Sequence, residues 1–117
     1  MTIEMAAPEF EQLVDRALAQ VPAELMDHVQ NCALLVEDAP PPDQAGLLGL
    51  YVGVPLTERG EFYAGVLPDR IFIYRLPILA LCQTHEEVVE QVHVTVVHEI
   101  AHHFGIDDDR LRDLGYA

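Results

Sequence analysis

The order of apolar and polar residues predicts helices at the start of the chain. Pro8 suits a first helical turn, and the apolar residues that follow it recur at helical spacing. They are Phe10, Leu13, Val14, Ala17 and Leu18. A second, short helix is predicted over residues 22–29, because Pro22 also suits a helix start. The apolar run at 32–36 is typical of a short buried strand.

Glycine and proline divide the middle of the chain. The apolar run at 47–52 is flanked and interrupted by Gly46, Gly49 and Gly53. This pattern predicts a turn followed by a short strand. Residues 61–67 and 70–75 flank Pro68-Asp69, a favoured pair for a tight turn. We therefore predict a β-hairpin there, with 61–67 as the exposed edge strand.

The last third of the chain predicts three helices. Pro77 can begin a short one that extends to residue 82. Thr84 and Glu87 have the spacing of a capping box, which opens a long helix ending at Phe104. Valines dominate the buried side of this helix, so tertiary packing must stabilise it. Asp107 is predicted to cap a final helix, with Leu111 and Leu114 facing inward and Gly115 at its end.

Length, composition and charge limit the classes of function. A chain of 117 residues that is 50% hydrophobic fits one globular domain, residues 1–117, and its apolar runs are too short to span a membrane. The formal charge of −14 disfavours nucleic acid and anionic membranes as partners. The excess of Asp and Glu is explained most simply by solubility. A more specific explanation is that the protein prefers basic peptides. Residues 1–20 lack the features of a signal peptide, so we expect a cytoplasmic location.

The two cysteines do not indicate a chemical function. Cys32 and Cys82 are isolated in apolar surroundings and do not form a disulfide framework. We interpret both as small buried hydrophobic residues rather than as a redox pair.

The sequence from His98 to His102 is HExxH, which indicates a zinc hydrolase. On a helix, His98 and His102 lie one turn apart on the same face, so both imidazoles can reach a single metal ion. Glu99 lies about 100° around the helix and can contact a water on that ion. The spacing predicts two metal ligands and a general base. The simpler alternative is an amphipathic helix whose histidines only make hydrogen bonds.

The residues after HExxH predict a third ligand. Gly105 can end the helix in a left-handed conformation and turn the chain back toward the metal, where Asp108 arrives. Two histidines, one aspartate and a water form the open arrangement of a catalytic zinc site. The alternative is that the aspartates at 107–109 merely favour the start of the next helix. The same ligands also accept cobalt, nickel or manganese.

The other histidines and the tyrosines are weaker candidates. His93 and His103 point away from the predicted metal position, and His103 is either a surface residue or one that orients Glu99. His28 and His85 are expected to be solvated. Four tyrosines could donate a hydrogen bond to a developing oxyanion, although packing is the default role for each. They are Tyr51, Tyr63, Tyr74 and Tyr116.

The stretch HEIAHHFGIDDDRL resembles the small bacterial zincin-like metallopeptidases, also called minimal zincins. The stretches at 49–60 and 67–75 are similar to that family's own patterns, so the resemblance covers most of the chain. It implies a small α+β fold in which a twisted mixed sheet packs on helices that include the HExxH helix. It also implies one zinc ion on His98, His102 and Asp108, with Glu99 as base. Asp107 stands where the family often has Ser, which leaves open which aspartate binds the metal.

The predicted reaction is hydrolysis of a peptide or protein substrate, which is expected to lie extended along residues 61–67. The rival hypotheses are a metal-stabilised peptide-binding module with little activity and a purely structural zinc domain. Glu99 argues against the structural domain, which needs no base. Little chain follows Asp108, so we expect weak or narrow activity and a homodimer or partner protein that completes the cleft.

Overall fold

The computed structural model describes residues 3–27, 32–53 and 69–116. The helices in these ranges are α1 (Ala7–Leu18), α2 (Ala23–Met26), α3 (Arg75–Ala80), α4 (His85–Phe104) and α5 (Asp108–Asp113). The strands are β1 (Cys32–Glu37), β2 (Gly49–Val52) and β3 (Asp69–Tyr74), and Pro42–Gln44 forms a short 3₁₀ helix. This mixture confirms the predicted α+β class.

The three strands form one mixed sheet in the order β1-β3-β2. β3 runs parallel to β1, with Cys32 opposite Asp69, and antiparallel to β2, with Gly49 opposite Ile73. Both sides of β3 are therefore paired within the described ranges. The prediction that this segment is one arm of a two-stranded hairpin is wrong, because Ile71 and Ile73 are buried in a central strand. The proposed first arm, 61–67, lies outside the described residues.

The core lies between the sheet and helices α1 and α4. The apolar stripe of α1 faces α4, as the spacing of Phe10, Leu13, Val14 and Ala17 predicts. Helix α4 contributes the largest share of the core, including Val88, Val92, Val96, Val97 and Ile100. These β-branched residues disfavour an isolated helix, so burial of their side chains stabilises α4 where it is.

Helix α4 begins and ends where the sequence predicts. The side chain of Thr84 accepts a hydrogen bond from the backbone N–H of Glu87 at 3.1 Å, which satisfies one free donor of the first turn. Gly105 has φ 69° and ψ 29°, a left-handed conformation that costs glycine little. The backbone N–H of Ile106 then donates to the carbonyl oxygen of Ala101 at 2.9 Å. This turn redirects the chain toward α5.

Two short helices differ from the prediction or extend past the described residues. Helix α3 begins at Arg75, two positions before Pro77. Proline is tolerated there because the first N–H groups of a helix have no partner within it. Helix α2 spans Ala23–Met26, and part of the predicted 22–29 segment lies outside the described residues. Within the described ranges, none of the helices has both the length and the apolar character needed to cross a bilayer.

Strand β2 lies very close to α4 because of a glycine. A Cβ atom on Gly49 would lie 2.8 Å from Cγ2 of Thr95 and 2.9 Å from the carbonyl oxygen of Phe72. No larger residue fits this gap without moving the helix or the sheet. The glycine therefore allows β2 to pack against the half of α4 that carries the HExxH residues.

Candidate metal centre

Helix α4 presents the two histidines of the motif to solvent. His98 and His102 are exposed, while Ala101 between them is buried. Both imidazoles line the same pocket, whose volume is about 620 Å³. Neighbouring helical turns thus place two nitrogen donors at the mouth of one cavity, as the i, i+4 spacing predicts.

Helix α5 brings a carboxylate to the same pocket. Asp108 is its first residue, is exposed, and lines the cavity together with His98 and His102. Asp107 caps the helix instead, because its carboxylate oxygen Oδ1 accepts a hydrogen bond from the backbone N–H of Arg110 at 2.8 Å. The two neighbouring aspartates therefore have different positions and different partners.

The donor chemistry of the pocket fits zinc, since two imidazoles and a carboxylate are the ligands of open zinc sites. Within the described ranges, no three His, Cys, Asp or Glu side chains are gathered closely enough to hold an ion. The assignment of His98, His102 and Asp108 as ligands stays a prediction.

Glu99 does not line the cavity of Asp108 but two others, each shared with one of the two histidines. It is half-buried and lines two cavities beside β2, one of about 490 Å³ with His102 and one of about 190 Å³ with His98. Burial raises the pKa of its carboxyl group, whereas His102 and a hydrogen bond from the backbone N–H of Tyr51 lower it. The raised pKa follows from partial removal of the carboxylate from water, which suits a group that must accept and release a proton.

The strand register explains why the amide of Tyr51 faces Glu99. In an antiparallel pair, alternate residues direct their backbone groups toward the partner strand. The carbonyl of Leu48 accepts a bond from the N–H of Tyr74 at 3.0 Å, so Leu48 and Leu50 bond toward β3. Gly49 and Tyr51 therefore direct their backbone groups away from β3. The outward amide of Tyr51 is the one that reaches the Glu99 carboxylate.

His103 packs on the side chain of Tyr51. Their ring centroids lie 3.9 Å apart with 18° between the planes, and the hydroxyl of Tyr51 donates to Oδ2 of Asp69 at 2.9 Å. Phe104 meets the Tyr51 ring edge-on at 5.5 Å. A Cβ atom on Gly53 would lie 2.9 Å from Cε1 of His103, so a glycine makes room for the stacked imidazole. His103 is exposed but is not simply a surface residue.

The last described residue also reaches the metal pocket. Tyr116 lines the cavity of His98, His102 and Asp108, and its hydroxyl lies 2.5 Å from Nε2 of His93. The ring of His93 meets the Tyr116 ring edge-on, with centroids 5.2 Å apart, and His93 lines a neighbouring cavity of about 390 Å³ together with His98. Burial raises the pKa of the Tyr116 phenol, and the Glu90 carboxylate raises it further.

The remaining candidates from the sequence lie elsewhere or have other partners. Tyr74 is buried in the core, and burial is the main cause of its raised pKa. His85 is half-exposed, 3.5 Å from Glu9. His28 and Tyr63 lie outside the described residues. Cys82 is buried and Cys32 is half-buried; both are free thiols whose pKa is raised mainly by burial.

Sequence reasoning missed two contacts, Tyr51 with His103 and Tyr116 with His93. The first had a local signal, because Gly49 and Gly53 flank Tyr51 and glycine within a strand often marks the close approach of another element. The second had no such signal. Only the fold brings the end of the chain back to the middle of α4.

The chain belongs to the zincin-like metallopeptidase family, which matches it over residues 29–116. Among solved structures, it is similar to a conserved hypothetical protein from Thermus thermophilus, with a TM-score of 0.56 and 24% sequence identity. The alignment covers 86% of this chain and 94% of that one, and at this identity it shows a shared fold alone. No curated protein matches the sequence. Zinc binding and peptide hydrolysis are thus properties of the family in general.

Proposed function

We propose that this protein is a zinc-dependent peptidase in which His98, His102 and Asp108 bind the metal and Glu99 is the general base. The position of Glu99 carries the proposal. Its carboxylate is half-buried beside β2 and borders cavities shared with each of the two histidines, while Asp108 lines a third cavity that both histidines share. A carboxylate whose only role was to keep the helix soluble would be expected to lie in open solvent.

In this proposal, one group of residues binds the metal and Glu99 transfers a proton. When bound, zinc supplies Lewis acidity, which activates water near neutral pH and polarises carbonyl groups. Glu99 accepts the proton of the attacking water and passes it to the leaving amine of the cleaved bond. The backbone amide of Tyr51 interacts with the Glu99 carboxylate and lowers its pKa, which favours the charged form that accepts the proton.

The apolar residues beside the proposed metal ligands suit the side chains of a peptide substrate. Leu47, Leu50 and Tyr51 line the cavity on the Glu99 side, and Ala101, Ile106 and Leu111 contribute to the metal pocket. Such surfaces bind apolar side chains on both sides of a reacting bond. The substrate path expected along 61–67 lies outside the described residues and remains part of the proposal.

The test is to incubate zinc-loaded protein with a broad peptide library and to follow cleavage by mass spectrometry. Glu99→Gln should keep the metal but lose cleavage about a hundredfold or more, because it removes only the proton acceptor. Glu86→Gln is the matched control, since it makes the same change in the exposed first turn of the same helix. We expect sparse, selective cleavage by the wild type.

Two results would change the proposal. Zinc loss in Glu99→Gln would make Glu99 a ligand and remove the general base. Tight zinc binding with no Glu99-dependent cleavage of any peptide would instead favour the metal-stabilised peptide-binding module. In that case a partner protein or a second copy of the chain would be the next component to test.

A further inference from the structure

We propose that Tyr51 and His103 are positioning residues, whose stacked rings fix the last turn of α4 against β2 and thereby place His102 and Glu99. This inference deepens the proposed function, because it concerns how the same site is held. His103 itself does not ligate the ion or transfer a proton. Its imidazole serves as a flat ring.

The rings of Tyr51 and His103 form a close stack. A centroid distance of 3.9 Å with an interplanar angle of 18° is a close face-to-face contact, and the aromatic neighbour Phe104 packs edge-on against the same tyrosine. His103 directly follows His102 along the chain. A ring held on Tyr51 therefore restricts the backbone that carries the second histidine of the motif.

Tyr51 is itself held by the sheet. Its backbone lies in β2 opposite Ile71, and its hydroxyl donates to Oδ2 of Asp69 at the start of β3. The tyrosine ring in turn contacts the last turn of α4 through the rings of His103 and Phe104. Its backbone amide is directed away from β3 toward Glu99, which lies a little more than one helical turn before His103.

Gly53 leaves space for the stacked ring. A Cβ atom at this position would be 2.9 Å from Cε1 and 3.2 Å from Nε2 of His103. Any larger residue at 53 therefore has to displace the imidazole. The glycine two residues after Tyr51 thus allows the close stack.

The experiment separates the shape of the ring from its chemistry. His103→Phe keeps a flat ring and removes both nitrogens, whereas His103→Leu keeps apolar bulk and removes the flat face. Two properties are measured: the zinc dissociation constant, by competition with a fluorescent chelator, and the hydrogen-exchange rate of the Tyr51 amide in metal-free protein, by NMR. The matched control is His85→Phe and His85→Leu, at the first and exposed residue of the same helix.

We expect His103→Phe to stay within about twofold of the wild type in both properties. His103→Leu should weaken zinc binding and speed exchange of the Tyr51 amide by about two- to tenfold, the range expected for loss of one aromatic pair. Gly53→Ala should give a change of the same sign, since it displaces the ring without altering it. The two His85 variants should change neither property.

The proposal is overturned if His103→Phe is as damaging as His103→Leu, because the nitrogens of the imidazole would then be what matters. It is also overturned if His103→Leu and Gly53→Ala both leave zinc binding and amide exchange unchanged. The exchange measurement needs neither zinc nor a substrate. A wild-type protein that bound no zinc would therefore refute the proposed function while the Tyr51 amide still tested the positioning role.

Discussion

The hydroxyl of Tyr116 lies 2.5 Å from Nε2 of His93 and so joins the end of the described chain to the middle of helix α4. The backbone N–H of Tyr116 donates to the carbonyl of Leu111 at 2.8 Å, which ties the tyrosine to α5 as well. Helix α5 is thus held at its start by the Asp107 cap and at its end through Tyr116. Since α5 carries Asp108, these contacts set the position of the third predicted ligand.

Removing the Tyr116 hydroxyl should therefore loosen the third ligand. Tyr116→Phe leaves a half-buried imidazole nitrogen without its partner, which is expected to lower the free energy of unfolding by about 1–3 kcal/mol. Zinc affinity should fall severalfold, but less than in Asp108→Ala. Urea denaturation and chelator competition measure the two effects. His93→Gln combined with Tyr116→Phe should cost less than the sum of the single changes; full additivity would mean that the two side chains do not interact.

Replacing the predicted ligands one at a time should rank them by their contribution to zinc binding. His98→Ala and His102→Ala are expected to empty the site, and Asp108→Ala to weaken it, because the two histidines share one helix while the aspartate arrives on another. Elemental analysis of protein purified without chelator gives the metal content. Asp107→Asn keeps an oxygen for the Arg110 amide and serves as the control, with zinc content unchanged. If all three alanine variants kept full zinc, the ligand set would be wrong.

Metal removal should destabilise the folded state. An ion bound by α4 and α5 together is a ligand of the native state only, so stripping it with a chelator lowers the melting temperature. The drop should become larger as the concentration of free zinc in the reference sample rises. Differential scanning calorimetry of the loaded and stripped protein measures it. The triple variant of His98, His102 and Asp108 to Ala should melt at the same temperature with and without zinc.

The close packing of β2 on α4 predicts a steric effect at Gly49. Gly49→Ala places a methyl group 2.8 Å from Cγ2 of Thr95, and the resulting displacement should cost about 1–3 kcal/mol in the free energy of unfolding. Adding Thr95→Ser removes the clashing methyl and should restore part of the loss. Equilibrium unfolding in urea is the measurement. An equal loss with and without Thr95→Ser would place the strain at the Phe72 carbonyl instead.

Local chemistry made much of α4 predictable from the sequence. The Thr84 cap, the left-handed Gly105 and the Asp107 cap each act within a few residues, so their effects can be inferred without the fold. The placing of β3 could not be inferred in this way. Its run of β-forming residues indicates a strand, but its partners β1 and β2 come from earlier parts of the chain, and pairing between distant segments leaves no local pattern.

The site shows the same division between local and distant causes. HExxH follows from helical spacing, which puts His98 and His102 on one face and Glu99 to the side. The stack of His103 on Tyr51 depends on β2 lying against α4, which no spacing within either segment specifies. The amphipathic pattern of α4 also gave no indication of this contact, because His103 is an exposed residue of the helix.

The parallel pairing of β1 with β3 has a consequence for the order of folding. Helix α4 forms its hydrogen bonds between residues close in sequence, whereas β1 and β3 have to meet across the whole stretch between Glu37 and Asp69. Among the described strands, β2 pairs with β3 alone. Because loop-closure entropy must be overcome before such distant contacts stabilise the chain, we expect the helix to form early and the sheet late. Glu99 is then partly shielded from water only in the final stage of folding, when β2 takes its place beside the helix.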